Sequence, residues 1–243
     1  MIPSSPQLWS VPPSFPGATA FLLGGGPSLV QDGIGFLHDS DLRETVLVGP
    51  SVMIAINRSY RIFPFADFLF FMDHRFFEWE SPEPGFTAFK GKKVSFHYEN
   101  SSLPSNILLL HRGTHTGLSS NPQILCHGTN SGYAAINLAV LLGCTKLILL
   151  GYDMSPQNGK LHHYEDYPEN TPLETFKTVY LPRYESLVPL LAQQSIQVWN
   201  ASPSSLLPWW TKCTLQEAFK AVRQENLMEY FLANTGFRGE HSS

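Results

Sequence analysis

Two short stretches hold most of the side chains that could do chemistry. "GKLHHYEDYPEN" sets His162, His163 and Tyr164 beside Glu165 and Asp166, with Asp153 a little upstream. An imidazole that titrates near neutrality serves as a general acid or base. Adjacent histidines and carboxylates can also hold a divalent metal. The plainer reading is an exposed polar loop. The second stretch is Gly24, Gly25, Gly26, Pro27 and Ser28, which follows an apolar run. Glycines let a ligand approach the main chain, and a helix N-terminus turns free N–H groups toward an anion. A tight strand-to-helix turn explains the same residues without a ligand. The pattern is neither GxGxxG nor a P-loop, because no Gly-Lys-Ser/Thr follows.

Further polar residues join these two stretches. Thr129, Asn130, Ser131 and Gly132 open a second helix. Their side-chain oxygens either cap it or meet a phosphate or sugar hydroxyl. Asn57 can read a base or ribose edge, because a carboxamide both donates and accepts; otherwise it ends a strand in a turn with Arg58 and Ser59. Asp73, in "MDHRFF", suits a ribose hydroxyl, a metal or a basic partner, or else the N-cap of a helix starting at His74. His-Glu-x-x-His and Gly-x-Ser-x-Gly are absent. Cys126 is read as structural despite its neighbour His127, and His111, His115 and His127 are scattered through a loop. Phe76, Phe77 and Trp79 are read as the buried face of a helix.

The elements that must position these residues follow from apolar patterning. "TAFLLG" and "KLILLG" are short continuous apolar runs ending in glycine, which predict buried parallel strands. Strands are also expected at 52–56, 67–72, "KKVSFH", "NILLLHR" and "IQVWN". Helices are expected over 27–37, from 129–131 to Gly143, over 173–193, and from Thr214 to the end of "TLQEAFKAVRQENLMEYFLA". Residues 113–130 predict an irregular loop, and 152–171 a long one. Alternating strands and helices imply a Rossmann-like α/β fold, a mostly parallel sheet with helices on both faces. In such sheets ligands bind beyond the carboxyl ends of the strands. Gly24–Ser28, Asn57, Asp73, Tyr152–Asp153 and Asn200–Ser205 all fall on that rim.

Residues 1–18 are expected as a loose Pro-rich arm and 19–243 as one domain with a C-terminal helix. Of the 243 residues, 43% are hydrophobic and 15% charged, which suits a compact protein. The net charge of −4 and the lack of a basic run exclude a surface that grips duplex DNA by charge alone. The three cysteines show no CxxC spacing, so they are read as buried thiols in a reducing compartment. No signal peptide and no membrane span is read, and the expected location is cytoplasmic. Oligomeric state is left open, a homo-oligomer included.

"LLGGGPSL", "AINRSY", "ADFLFFMD", "NSGYAAINLAVLLGCTKLILLGYDM" and "NASPSSLL" together resemble a superfamily. It joins small bacterial sialyltransferases, motility-accessory-factor glycosyltransferases and hydroxymethylpterin pyrophosphokinase-like proteins, and the phage-borne branch looks most similar. A phage origin would put the protein in the host cytoplasm. The resemblance covers roughly residues 19–207. It implies a fold that binds a nucleotide or nucleotide-sugar donor, a cytidine monophosphate sugar in the sialyltransferases. It points to Gly25, Gly26, Ser28, Asn57, Asn130, Ser131 and Gly132 as donor contacts, and to Tyr164 at the donor phosphate. The departures are Gly25, where the family has asparagine, and the lack of a histidine between Tyr164 and His241. His162 or His163 would then replace the family's catalytic histidine. The acceptor would be a glycan or a modified base. The pyrophosphokinase branch implies a second reading, magnesium held by Asp73 and Asp153. A nucleotide-binding assembly protein without catalysis is a third.

Overall fold

The fold is described from a computed structural model, over residues 8–30, 34, 37, 48–98, 103–164 and 171–235. Nine parallel strands form one sheet. They are β1 (Thr19–Leu23), β2 (Ser51–Ile56), β3 (Phe68–Phe70), β4 (Lys92–Phe96), β5 (Ile107–Arg112), β6 (Ile124–Leu125), β7 (Lys146–Leu150), β8 (Gln197–Asn200) and β9 (Thr211–Lys212). Their order across the sheet is β6-β5-β4-β3-β2-β1-β7-β8-β9, every neighbouring pair parallel. The winding direction therefore reverses between β1 and β7. Leu23 pairs with Leu150 in that ladder, so the two central strands end level and deliver Gly24 beside Gly151. This is the topological switch point at which doubly wound sheets bind ligands.

β1, β2 and β7 are buried along their whole length, which is why they read as unbroken apolar runs. Their side chains still alternate between two cores. Ala20, Leu22, Val52 and Ile54 face one layer with Ala134, Ala135 and Leu138 of α3 (Ser131–Leu141). Phe21, Leu23, Met53 and Ile148 face the other with Leu215, Phe219 and Val222 of α7 (Leu215–Thr235). Phe76 of α1 (His74–Glu80) and Phe86 of α2 (Pro84–Ala88) fill the same second layer. Phe76 is buried as expected, whereas Phe77 and Trp79 are only partly so.

Four expectations need correction. The helix expected over 27–37 begins as a 3-10 turn of Pro27–Leu29, and most of the remainder lies outside the described residues. The single helix expected over 173–193 is broken. α4 (Leu173–Thr175) runs into a π turn (Phe176–Tyr180), then α5 (Leu181–Glu185) and α6 (Val188–Gln193) follow. Pro182 and Pro189 cause the breaks, since each lacks an N–H and its ring crowds the carbonyl four residues back. The arm is not loose over residues 8–17. Trp9 N–H bonds the Leu109 carbonyl, Phe15 N–H that of Leu142 and Gly17 N–H that of Gly143, while Val11 enters the core. Finally, Cys213 is half-buried, unlike Cys126 and Cys144. No helix among the described residues is long and apolar enough to cross a membrane.

Candidate active site

The glycine turn is shaped first by strand packing. Gly24 N–H bonds the Leu150 carbonyl at 2.7 Å and Gly26 N–H the Gly151 carbonyl at 2.8 Å. Ser28 donates from its N–H and its hydroxyl to Asp153 Oδ2, at 3.2 and 2.9 Å. A side chain at Gly24 would meet the Gly151 carbonyl oxygen at 2.6 Å, so β1 and β7 can close only over bare glycines. Gly25 is different. Its N–H has no partner among the described residues, and it faces the Tyr164 hydroxyl and the His162 ring. The bare turn therefore answers to close strand approach at Gly24 and Gly26, and opens toward a cavity at Gly25.

That cavity, of about 150 Å³, is lined by Gly24–Gly26, Asn57, Asp73, Thr129–Gly132, Tyr152, His162, Tyr164 and Tyr180. Ser28 and Asp153, tied to each other behind the turn, are not in its wall, and neither are Pro27 and His163. Asn200–Ser205 are also absent from it. Ser202 and Ser205 instead bracket Tyr152, accepting from its N–H and donating to its carbonyl. Burial raises the Asp153 carboxyl above its usual range, and the Ser28 bonds only oppose this.

Asn130 performs the capping role in full. Its Oδ1 accepts from Gly132 N–H, Tyr133 N–H and the Tyr184 hydroxyl. Ser131 N–H is left without a partner among the described residues and lies in the cavity wall. Gly132 must be bare, because a Cβ there would stand 2.7 Å from the Tyr184 hydroxyl. Asp73 holds the N-cap position of α1, yet its side chain makes no capping bond. Three non-glycine residues in the wall or its corner are left-handed: Asn57 (φ 51°), Thr129 (φ 52°) and Met154 (φ 54°). Each such conformation costs roughly 1–3 kcal/mol and collects at functional sites. Thr129 is the most telling, because a β-branched residue strongly resists positive φ. It sits with Gly128 in a type I′ turn closed by Asn130 N–H on the His127 carbonyl.

Residues 161–164 fold over the glycine turn. His163 N–H bonds the Gly25 carbonyl at 3.0 Å. The His162 and Tyr164 rings stack 5.0 Å apart, and the Arg58 guanidinium lies 5.6 Å from the Tyr164 centroid. Arg58 is anchored on Glu80, a fully buried carboxylate that also accepts from Tyr60 and Arg61. Burial, with Arg58 in support, lowers the His162 pKa against the pull of the Gly25 carbonyl. His163 falls to about 4, through burial first and then His162 and Arg61. Its Nε2 is buried without a hydrogen bond among the described residues. Both imidazoles are thus neutral near pH 7, but only His162 reaches the cavity. Glu165 and Asp166 lie outside the described residues.

Magnesium does not fit the pair expected for it. Asp73 faces the cavity while Asp153 is turned to Ser28, and no group of three metal-binding side chains occurs among the described residues. Sequence reading placed Tyr152 on the rim, and missed Arg58, Tyr180 and Arg183 as parts of the site. The "AINRSY" block contained the first, but a buried arginine is visible only once Glu80 is placed beside it.

The class defined by fold and site is a doubly wound α/β protein with a polar cavity at its switch point. No protein-family model matches the chain, and no curated protein matches it. Similar solved structures include the sialyltransferase CstII from Campylobacter jejuni with the substrate analogue CMP-3FNeuAc. That likeness covers 81% of this chain and 86% of that one, at 13% identity and a TM-score of 0.47. A complex of the same enzyme with cytidine-5'-monophosphate covers 80% and 84%, at 14% and 0.47. A sialyltransferase CST-II structure with trisaccharide acceptor and CMP covers 79% and 84%, at 15% and 0.47. At these values no activity and no residue role passes to this chain.

Proposed function

We infer that the cavity binds a nucleotide-sugar donor and that the protein is a transferase moving the sugar to an acceptor hydroxyl. One observation carries this reading. Gly25, Asn57, Asp73, Thr129–Gly132 and His162–Tyr164 lie far apart in sequence, and all but His163 meet in one cavity at the switch point. In this reading the acceptor oxygen attacks the anomeric carbon as the bond from that carbon to the phosphate oxygen breaks. His162 takes the acceptor proton. Gly25 N–H, Ser131 N–H and the Tyr164 hydroxyl receive the charge left on the departing phosphate. Asn57 and Asp73 are left to bind the base and ribose.

A cavity of about 150 Å³ is smaller than the roughly 300 Å³ at which ligand pockets begin. In this reading the phosphate end of the donor occupies the cavity and the remainder extends from it. The motif resemblance favours a cytidine nucleotide and a glycan or modified-base acceptor. The test is a thermal-shift panel of nucleotides and nucleotide-sugars with and without magnesium, followed by donor turnover. A metal-independent rise with a cytidine nucleotide is expected. His162→Ala should lower turnover at least about 100-fold and keep nucleotide binding, while His163→Ala should retain turnover. An unimpaired His162→Ala enzyme would remove the assigned base.

A further inference from the structure

Thr129 joins the cavity to a group of cations at the carboxyl ends of β4, β5 and β6. The Arg183 guanidinium donates to the Thr129 hydroxyl. Thr129 N–H donates to His127 Nδ1 at 3.0 Å. The exposed His115 ring meets His127 edge-on at 4.7 Å, and Phe96 packs against His127 at 5.9 Å. Arg112 lies 5.8 Å from the Phe96 ring and 5.7 Å from that of Tyr98, whose hydroxyl donates to the carbonyl of cavity residue Met72.

Among the described residues the cations here outnumber the carboxylates. Arg58 and Arg61 share Glu80, but neither Arg112 nor Arg183 has a carboxylate within 4.0 Å among the described residues. After burial, the groups acting on His127 are Arg112, His115 and Arg183. Among the described residues the acid on this side is Asp73, which acts on Tyr98 together with Arg112 and on Tyr180 together with Arg183. A surface with an excess of one sign of charge concentrates counter-ions. Guanidinium groups flanked by aromatic rings hold planar or tetrahedral oxyanions through paired N–H bonds.

We propose that this shelf is a second oxyanion site, beside the cavity and outside it, where Arg112 and Arg183 seat a carboxylate, sulfate or phosphate group of the second substrate. Naming the ligand as second substrate rests on the transferase reading; the anion site itself does not. It selects acceptors bearing negative charge.

The test is a sulfate titration of isotope-labelled protein at pH 7, with chloride exchanged to hold ionic strength, followed by the ring signals of His115 and His127. Saturable shifts of both rings are expected. Arg112→Gln should weaken sulfate at least tenfold. The Arg112 side chain makes no hydrogen bond among the described residues, so the variant should leave the Gly25 and Ser131 amides in place. Rings that do not respond, or respond equally in Arg112→Gln, would overturn the proposal. So would shifts confined to the Gly25 and Ser131 amides, which would put sulfate in the cavity. Sulfate binding on the shelf of a protein that binds no nucleotide would uphold the anion site and remove the transferase reading alone.

Discussion

A methyl group added at Gly26 would stand 2.0 Å from Asp153 Oδ2 and 2.7 Å from the Gly151 carbonyl oxygen. The same addition at Gly25 meets only the ends of two side chains, with the Tyr164 hydroxyl nearest at 3.1 Å. Gly26→Ala is therefore expected to lose about 3 kcal/mol in urea unfolding, or to fail to fold. Gly25→Ala should stay within about 1 kcal/mol of the parent and lose the nucleotide-dependent rise in melting temperature. Equal losses in both would contradict the division of labour. Asp153→Asn keeps an acceptor for Ser28 and removes a buried charge. A carboxyl raised on folding loses stability as pH climbs through its unfolded and then its folded pKa, with no penalty below both. The variant should thus be at least as stable as the parent at pH 7, with the difference closing toward pH 3. A less stable variant at pH 7 would show that the charge itself holds the turn. The sequence marked this turn clearly, since three glycines after an apolar run have few explanations. Which glycine serves packing and which serves the cavity depends on the β1–β7 register, and no local pattern encodes that.

Asn137 shows how an element is held by one side chain. It is fully buried in α3, accepts from Ser119 N–H and Cys126 N–H through Oδ1, and donates to the Ser119 carbonyl through Nδ2. These bonds pin the loop expected as irregular, along which the structure adds only β6. Asn137→Leu would strand two backbone donors, and a loss of about 2–4 kcal/mol is expected by chemical denaturation. A change under about 0.5 kcal/mol would mean the loop is held elsewhere. The buried strands and α3 were legible, because continuous apolar runs and an Asn cap have direct physical meaning. The broken helix was misread: apolar spacing ran across Pro182 and Pro189, although both prolines announce a break. The two-residue strands β6 and β9 are too short to carry a period. Thr214 and Glu217 form a reciprocal capping box at the start of α7, a signature present in the sequence and passed over.

At the scale of the whole molecule, three histidines among the described residues whose pKa burial lowers, His127, His162 and His163, tie stability to acidity. His127 is 2% exposed and lowered to about 4, by burial and then by Arg112, His115 and Arg183. His163 is lowered to about 4 as well. The unfolded chain takes these protons near pH 6.5, whereas the folded chain resists them until about pH 4. Stability is therefore full above pH 6.5 and falls as pH drops toward 4, with about 3 kcal/mol from His127. His127→Gln keeps an acceptor for Thr129 N–H and removes the titration. Its unfolding free energy should fall less between pH 7 and pH 5 than the parent's, and parallel losses would exclude His127 as a cause. Strand ends alone put Gly24–Gly26, Asn57, Asp73 and Tyr152 on one edge, since every parallel strand delivers its last residues there, but they could not tell these from Asn200–Ser205, which do not line the cavity. The cations at Arg112 and Arg183 were not foreseen, because they gather only when β5 and the broken helix are folded together. The central claim is that Gly25 and Ser131 face one phosphate. It is tested most directly by following backbone amide signals while cytidine monophosphate is added. The account predicts that the Gly25 and Ser131 amides shift and saturate together at one concentration; movement of only one of them, or of neither, would contradict it.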